Sequence, residues 1–499
     1  MNGDVKDMGA SGRPTPDPLG PATLLLVSIA AIVPRLAHIW APISGWHAWR
    51  QADTAAIARN FYRGEMNILY PAVDWSGAGT GYVESEFQLF PFLVALIYQV
   101  FGLHVVFGRI LAVLFSVGTA LYLALLCARY TDRRTAGLAA GAFSLFPINS
   151  YIGAAFMPEP LMLFASVAAV YHMDRWSDMG PERDRWISAL FLAVAIAVKL
   201  PEAFLGMPIA YLVWRRLGWR SITSLRVWLC ALVALVPPAL WYWHAHQLKE
   251  KTGLTFVIWE VGSDKWGNLD LLSSPKFYFD LLFARLMERH LTYAGALLLI
   301  IGCVLLRRRK DLGLFKWWTG GAVFYLLLVA KGNAVHDYYQ LPVLLPLALG
   351  VGAGIAWATE RGFKSPGRIV GRFLLAAFLV LSALRNLDLV EKVVDSSPGL
   401  LAIGAVAQEV VPPGELVVAV DDGDPTLLYH VDRRGWHASV GMLEEDWIEA
   451  RRREGAAYLI AAADRFDRPE TAPRLERLRE RYPDRSTDRA FHFFELRDP

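Results

Sequence analysis

The chain has 499 residues, a formal net charge of +3, 18 tryptophans and 55% apolar residues, with a mean hydropathy of +0.32. That is too apolar for an ordinary soluble domain, and Lys and Arg gathered at the ends of apolar runs leave no nucleic-acid footprint. The three cysteines, Cys127, Cys230 and Cys303, each sit inside an apolar run without C-x-x-C spacing, which argues against a disulfide framework or a thiolate metal site.

Residues 1–20 are polar and rich in Gly and Pro, and lack the n-region and cleavage pattern of a signal peptide. They read as a disordered cytoplasmic tail, and the first apolar run as an uncleaved anchor. The spanning candidates are 21–41, 109–128, 136–153, 159–174, 186–199, 201–214, 225–243, 290–306, 314–330, 341–358 and 369–385. This predicts a polytopic helical membrane protein with about eleven helices, some short for a span of ~20 residues. Basic clusters at Arg129/Arg133/Arg134, Arg175/Arg183/Arg185, Arg215/Arg216/Arg220, Arg307–Lys310 and Arg361/Lys364/Arg368 fall on one side if the N-terminus is cytoplasmic. The run Phe90–Gly102 would break that parity as a span. Its length suits an interfacial helix, and it is placed in the first outer loop.

The outer face then collects the loop 42–108, the turn Met157-Pro158-Glu159-Pro160, the loop 244–289 and Lys331–Tyr339. From 386 the composition changes. Val417–Val420 and Tyr458–Ala461 read as buried strands, Glu444–Glu454 and Pro473–Arg481 as helices. The expected division is a tail (1–20), a transmembrane domain (21–385) and an extracytoplasmic α/β domain (386–499) of about 110 residues, large enough for its own core.

Candidate chemistry sits in the outer stretches. Asp53 follows Arg50 by three residues and shares its face on a helix, with Ile57, Phe61 and Tyr62 offering an apolar stripe to the membrane interface. Glu84 and Glu86 face one way on a strand and diverge on a helix. Glu159 lies between two prolines at the outer rim, where a buried carboxylate needs a partner or a task. Lys199 ends a span near Pro201 and Glu202. It is either a snorkelling lysine or a cation for an anionic head group. Lys265 and Arg109 are further cations, Arg matching phosphate oxygens by its planar fork. His336-Asp337-Tyr338-Tyr339 is either part of an aromatic belt or an oriented acid/base and phosphate-binding group. His47, Asp53 and Glu159 leave a divalent cation open, but no ligand spacing calls for one.

Four segments carry a resemblance: W-R-Q-A-D-T (49–54), E-F-Q-L-F-P (86–91), M-P-E-P-L-M-L-F (157–164) and H-D-Y-Y-Q-L-P (336–342). Together they resemble bacterial glycosyltransferase family 39, the protein O-mannosyltransferases and aminoarabinose lipid A transferases of the GT-C fold. The resemblance implies a polyprenyl-phosphate sugar donor, transfer on the outer face of a bacterial inner membrane, and Asp53 as the essential carboxylate. It places Glu159 where the family has an acid in its second outer loop and Lys199 on a family lysine, with Leu200 in place of the usual glycine. The double acid of the mannosyltransferases is absent, since Ala52-Asp53-Thr54 holds one acid, so the acceptor stays open among lipid, glycan and protein hydroxyls.

The chemistry expected is an inverting transfer with Asp53 as base. Arg109, Lys199, Lys265 and His336 would stabilise the departing lipid phosphate. Arg50, Glu84, Glu86, Asp337, Tyr338 and Tyr339 would contact substrate, and Glu159 would orient an acceptor or a cation. The competing reading is a transporter or flippase for a polyprenyl-linked lipid, against which stand the missing inverted repeat and acids gathered in loops instead of at the midplane.

Overall fold

In the computed structural model the described residues are 19–257, 265–360, 366–466, 469–486 and 490–497. The expected tail up to residue 18, and Arg361 and Lys364 of the last basic cluster, lie outside them. Each of the eleven apolar runs is helical, in one piece or in two. Five helices are long and apolar enough to cross a membrane: Pro21–Ile39, Val105–Ala128, Leu225–Thr252, Asp337–Ala358 and Pro366–Val410. A sixth results if Pro275–His290 and Thr292–Leu306, bent by 103°, count as one.

The shorter elements have local causes. The run 136–153 is broken into Arg133–Leu145 and Pro147–Ile152, because Pro147 has no N–H to give and its ring cannot sit over the carbonyl four residues back. Carbonyls around this break take side-chain donors. Asn149 Nδ2 donates to Phe143 O at 2.7 Å, and the buried Arg35 of the first helix donates to Ser144 O at 3.2 Å and to Asn149 O at 3.0 Å, which Gly153 N also reaches. Arg35 carries no signal in the sequence as a cap, yet it satisfies backbone carbonyls at a break that hydrocarbon would leave unpaired.

Two compact units emerge. The first comprises Met1–Ile39, Ile110–Trp243 and Val257–Asp388. Its tightest crossing is Thr292–Leu306 against the Leu341–Ala358 helix. A Cβ added at Gly302 or Gly354 would collide with the backbone of Gly350 or Leu298, so small residues set the approach where apolar burial gives no driving force in lipid. At one end of this unit Asp174 gathers Arg129 at 2.5 Å, Arg215 at 2.9 Å and the Tyr130 hydroxyl, which uses up part of two basic clusters.

The second unit comprises Trp40–Arg109, His244–Phe256 and Leu389–Pro499. It therefore groups the first outer loop with the C-terminal segment. The helix Pro366–Val410 runs on through the position where the last span was expected to end, at 385. The sheet has the order β2-β1-β3-β4, with β1 (Leu416–Val420), β2 (Gly435–Ala438), β3 (Ala456–Ala462) and β4 (Phe491–Glu495). β1 is parallel to β2 and β3; β4 is antiparallel to β3. Both faces are covered, which is why the central strands are apolar at consecutive positions. The helices Glu445–Arg453 and Ala472–Arg481 lie within two residues of their expected bounds.

The first loop is sewn to this sheet. Gly435 N donates to Asp74 O at 3.0 Å and Gly77 N to Gly435 O at 2.7 Å. Gly77 has φ +57° and carries the Trp436 ring where a side chain would stand. Arg59 pairs with Asp74 and, at 2.7 Å, with Asp432, and Arg63 clasps Asp432 with both guanidinium nitrogens. Ile57 and Phe61, expected to face the membrane interface, are instead buried against Val73, Val83 and Ala95.

Candidate active site

The carboxylate cluster lies in the second unit. The helix Ala48–Arg63 starts at His47 in a left-handed conformation (φ 56°) and continues as W-R-Q-A-D-T-A-A, in which the arginine, the glutamine and the alanines favour the helix. Asp53 is 3% exposed, and its Oδ1 accepts from Trp75 Nε1 at 2.9 Å. Its other oxygen accepts from none of the described residues. Burial pushes this carboxyl up to about 7; the Trp75 hydrogen bond and the Arg50 charge pull it down, and the Asp74 and Asp424 charges push it up.

Arg50 shares the face of Asp53, as its spacing predicts, but its guanidinium goes to Glu86 at 3.0 Å, with both side chains buried, and lies 5.3 Å from the Phe256 ring. Glu84 takes other partners. Its backbone bridges Thr255, and its carboxylate accepts from the Thr255 hydroxyl and faces His246 Nδ1 at 3.3 Å. Glu84 and Glu86 thus serve separate contacts. Arg109 is 3% exposed and donates to Pro42 O at 2.9 Å, so part of its fork holds the start of the outer loop.

The cationic cluster lies in the first unit. Glu159 opens the helix Glu159–Ser177 behind Pro158 and is fully buried. Lys199 leaves the end of Glu182–Val198 in an extended conformation, and its Nζ donates to Glu159 Oε1 at 2.6 Å. The ammonium also lies 4.8 Å and 4.4 Å from the rings of Tyr338 and Tyr339, within range of a cation–π contact. Glu159 Oε2 accepts from no described residue. Lys199 does not snorkel: it is 7% exposed. Glu159 is thus paired with the Lys199 ammonium. Close by in sequence, Glu202 is also buried and accepts from Ser166 Oγ at 2.7 Å.

The H-D-Y-Y motif divides its residues. Its tyrosines face Lys199, whereas Asp337 is held by Arg289 at 2.8 Å and by Arg285. His336 stacks on both tyrosine rings at 5.4 Å and 5.5 Å, and His290 Nε2 lies 2.9 Å from the Asp337 carbonyl. The backbone carbonyl of Lys265 accepts from Gly332 N at 3.0 Å, which ties the middle of the 244–289 loop to the helix Ala330–Val335 ahead of this motif. No three His, Cys, Asp or Glu side chains among the described residues gather as a metal-binding group.

Trp75, Arg285 and Arg289 were not foreseen as parts of these clusters, nor were Asp424 and His437 of the C-terminal segment. His437 lies 5.6 Å from the Trp75 ring. Trp75 opens W-S-G-A-G, a turn signal, but nothing in a turn says which acid its indole will meet.

Residues 88–243 match the family model described as dolichyl-phosphate-mannose-protein mannosyltransferase. No curated protein matches the chain in sequence. Among solved structures, the chain is similar to ArnT from Cupriavidus metallidurans bound to undecaprenyl phosphate, with a TM-score of 0.64 at 14% identity, covering 95% of this chain and 97% of that one. It is also similar to the oligosaccharyltransferase of Archaeoglobus fulgidus in the apo form, with a TM-score of 0.58 at 10% identity, covering 89% and 69%. The archaeal oligosaccharyltransferase AglB from the same organism, in complex with an inhibitory peptide and a dolichol-phosphate, gives 0.56 at 11% identity, covering 95% and 74%. At these identities the likeness shows the fold. The chain has the fold of GT-C membrane glycosyltransferases, is a multi-pass membrane protein, and carries a small C-terminal α/β domain.

Proposed function

We propose that the chain is a membrane glycosyltransferase that moves a sugar from a polyprenyl-phosphate donor to an acceptor hydroxyl, with Asp53 as general base. The observation that carries this is Asp53 itself: a buried carboxylate with one oxygen held by Trp75 Nε1 at 2.9 Å, the other accepting from no described residue, and an affinity for protons raised to about 7. A base poised there is ionised enough to act and basic enough to hold the proton it takes. The match over 88–243 and the transferases among the similar structures support transfer over transport.

The step balances simply. Asp53 takes the proton of the acceptor hydroxyl, the oxygen attacks the anomeric carbon, and the bond from that carbon to the phosphate oxygen breaks with inversion. The lipid phosphate leaves as an anion and needs cations more than a proton. Lys199 is the foremost candidate, followed by Arg109, Lys265 and His336. Glu159 holds the Lys199 ammonium at 2.6 Å. The residues around Asp53 and the tyrosines beside Lys199 are proposed to contact substrate, and the reaction is assigned to the outer face of a bacterial inner membrane.

The test is donor consumption by purified protein in nanodiscs, offered a panel of polyprenyl-phosphate sugars, with wild type and Asp53→Asn. Consumption by wild type alone supports the reading. Equal consumption by both removes Asp53 from the role. Passage of an unconsumed lipid across the bilayer would replace transfer by transport.

A further inference from the structure

A second cationic centre lies in the first unit, at the other end of the helix that Lys199 terminates, roughly 20 Å along its axis from that residue. Two guanidiniums meet one carboxylate there. Glu182 accepts from Arg185 at 2.7 Å and faces Arg216 at 3.5 Å. The next acid, Asp184, is taken by His172 at 2.8 Å and Arg175 at 3.3 Å. One positive charge is therefore in excess of Glu182.

Arg185 is 4% exposed, lies under the rings of Trp176 and Trp186 at 5.3 Å and 5.4 Å, and has an Nε–H that reaches no acceptor among the described residues. It is the charged member of an otherwise largely apolar cavity of about 380 Å³ between the helices Glu182–Val198, Gly206–Leu217 and Leu225–Thr252. Leu192, Val213, Trp214 and Trp228 are among the walls.

We infer that this cavity is a binding site for one anionic phospholipid, an acyl chain in the apolar part and the phosphate on the arginines around Arg185. An acyl chain gains little by leaving bilayer hydrocarbon for apolar walls, so the walls set shape and the charges set choice. An arginine fork suits phosphate oxygens, and basic pockets between membrane helices take anionic head groups for this reason. A zwitterionic lipid brings its own cation and relieves the excess charge less. The site shares no residue with the Asp53 and Lys199 clusters, and binding alone reports on it.

The experiment is native mass spectrometry of the delipidated full-length protein in detergent, titrated with phosphatidylglycerol and phosphatidylcholine of matched chains. Phosphatidylglycerol should bind at least tenfold more tightly, and the preference should vanish in Arg185→Gln. Because Arg185 also braces Trp176, a second variant fills the cavity from its exposed rim: Ala210→Trp should lose the bound lipid with the arginines intact. Equal binding of the two lipids overturns the inference, as does a preference that survives both substitutions. Displacement of bound phosphatidylglycerol by undecaprenyl phosphate at equal concentration would also overturn it, by giving the cavity to the donor's lipid.

Discussion

Asp53→Asn should abolish transfer and, at alkaline pH, stabilise the protein. The Asp53 carboxyl is raised from 3.8 to about 7, mainly by burial. Below 3.8 it is protonated in the folded and unfolded chain alike, and its stabilising share is whole. Between 3.8 and about 7 the folded chain keeps a proton that the unfolded chain has released, so stability falls as pH rises. Above about 7 the folded protein holds a buried anion against its environment. Three pH units correspond to at most about 4 kcal/mol. Asparagine carries no charge and can still accept from Trp75, so the variant escapes this cost. The difference in stability should be near zero at pH 4 and about 2 kcal/mol or more in favour of the variant at pH 8. Thermal unfolding of both proteins in the same detergent at the two pH values reads the double difference directly. A variant no more stable than wild type at pH 8, or equally shifted at both pH values, would refute the claim that Asp53 is held as a strained base.

In wild type, donor consumption should rise with pH through about 7 as Asp53 ionises, which a pH–rate profile under saturating donor reads. Trp75→Phe removes the hydrogen bond that favours the anion, so the midpoint of that profile should move up by about one unit; an unmoved midpoint would dissociate Trp75 from the base. Lys199→Met and Glu159→Gln each leave one member of a buried pair alone and should each cost about 3–5 kcal/mol. The double variant should recover much of that stability while transfer stays lost, as chemical unfolding and turnover together would show. Gly354→Val drives a branched side chain into the Leu298 backbone and should lower the unfolding temperature more than Gly441→Val, where the nearest atom is a flexible Ser439 hydroxyl.

What the sequence made legible was whatever depends on local pattern. Apolar runs became helices, and the spacing of Arg50 and Asp53 put them on one helical face. The strands at 416–420 and 456–462 announced themselves as buried β-branched and aromatic runs. The short β2 strand, G-W-H-A, has no such run, because it is held by backbone pairing to β1 and to Asp74. Partner choice was not legible either. Arg50 prefers Glu86 to Asp53, and Asp337 turns to Arg285 and Arg289. A carboxylate's partner is fixed by tertiary approach, and sequence spacing limits only partners on the same element.

The grouping of the first outer loop with the C-terminal segment changes what that segment is for. Asp53 owes its state to burial first, and part of its surroundings comes from beyond residue 389: Asp424 pushes its affinity for protons up, and His437 flanks the Trp75 ring that pulls it down. The loop is joined to β2 by two backbone hydrogen bonds and by Arg59 and Arg63 through Asp432. Removing the sheet would take away the Asp424 charge and so lower the proton affinity of Asp53. If Asp53 is the base proposed above, the α/β domain contributes to the acid–base chemistry without touching the acceptor, because Asp424 helps to set the proton affinity of a side chain more than three hundred residues earlier in the chain.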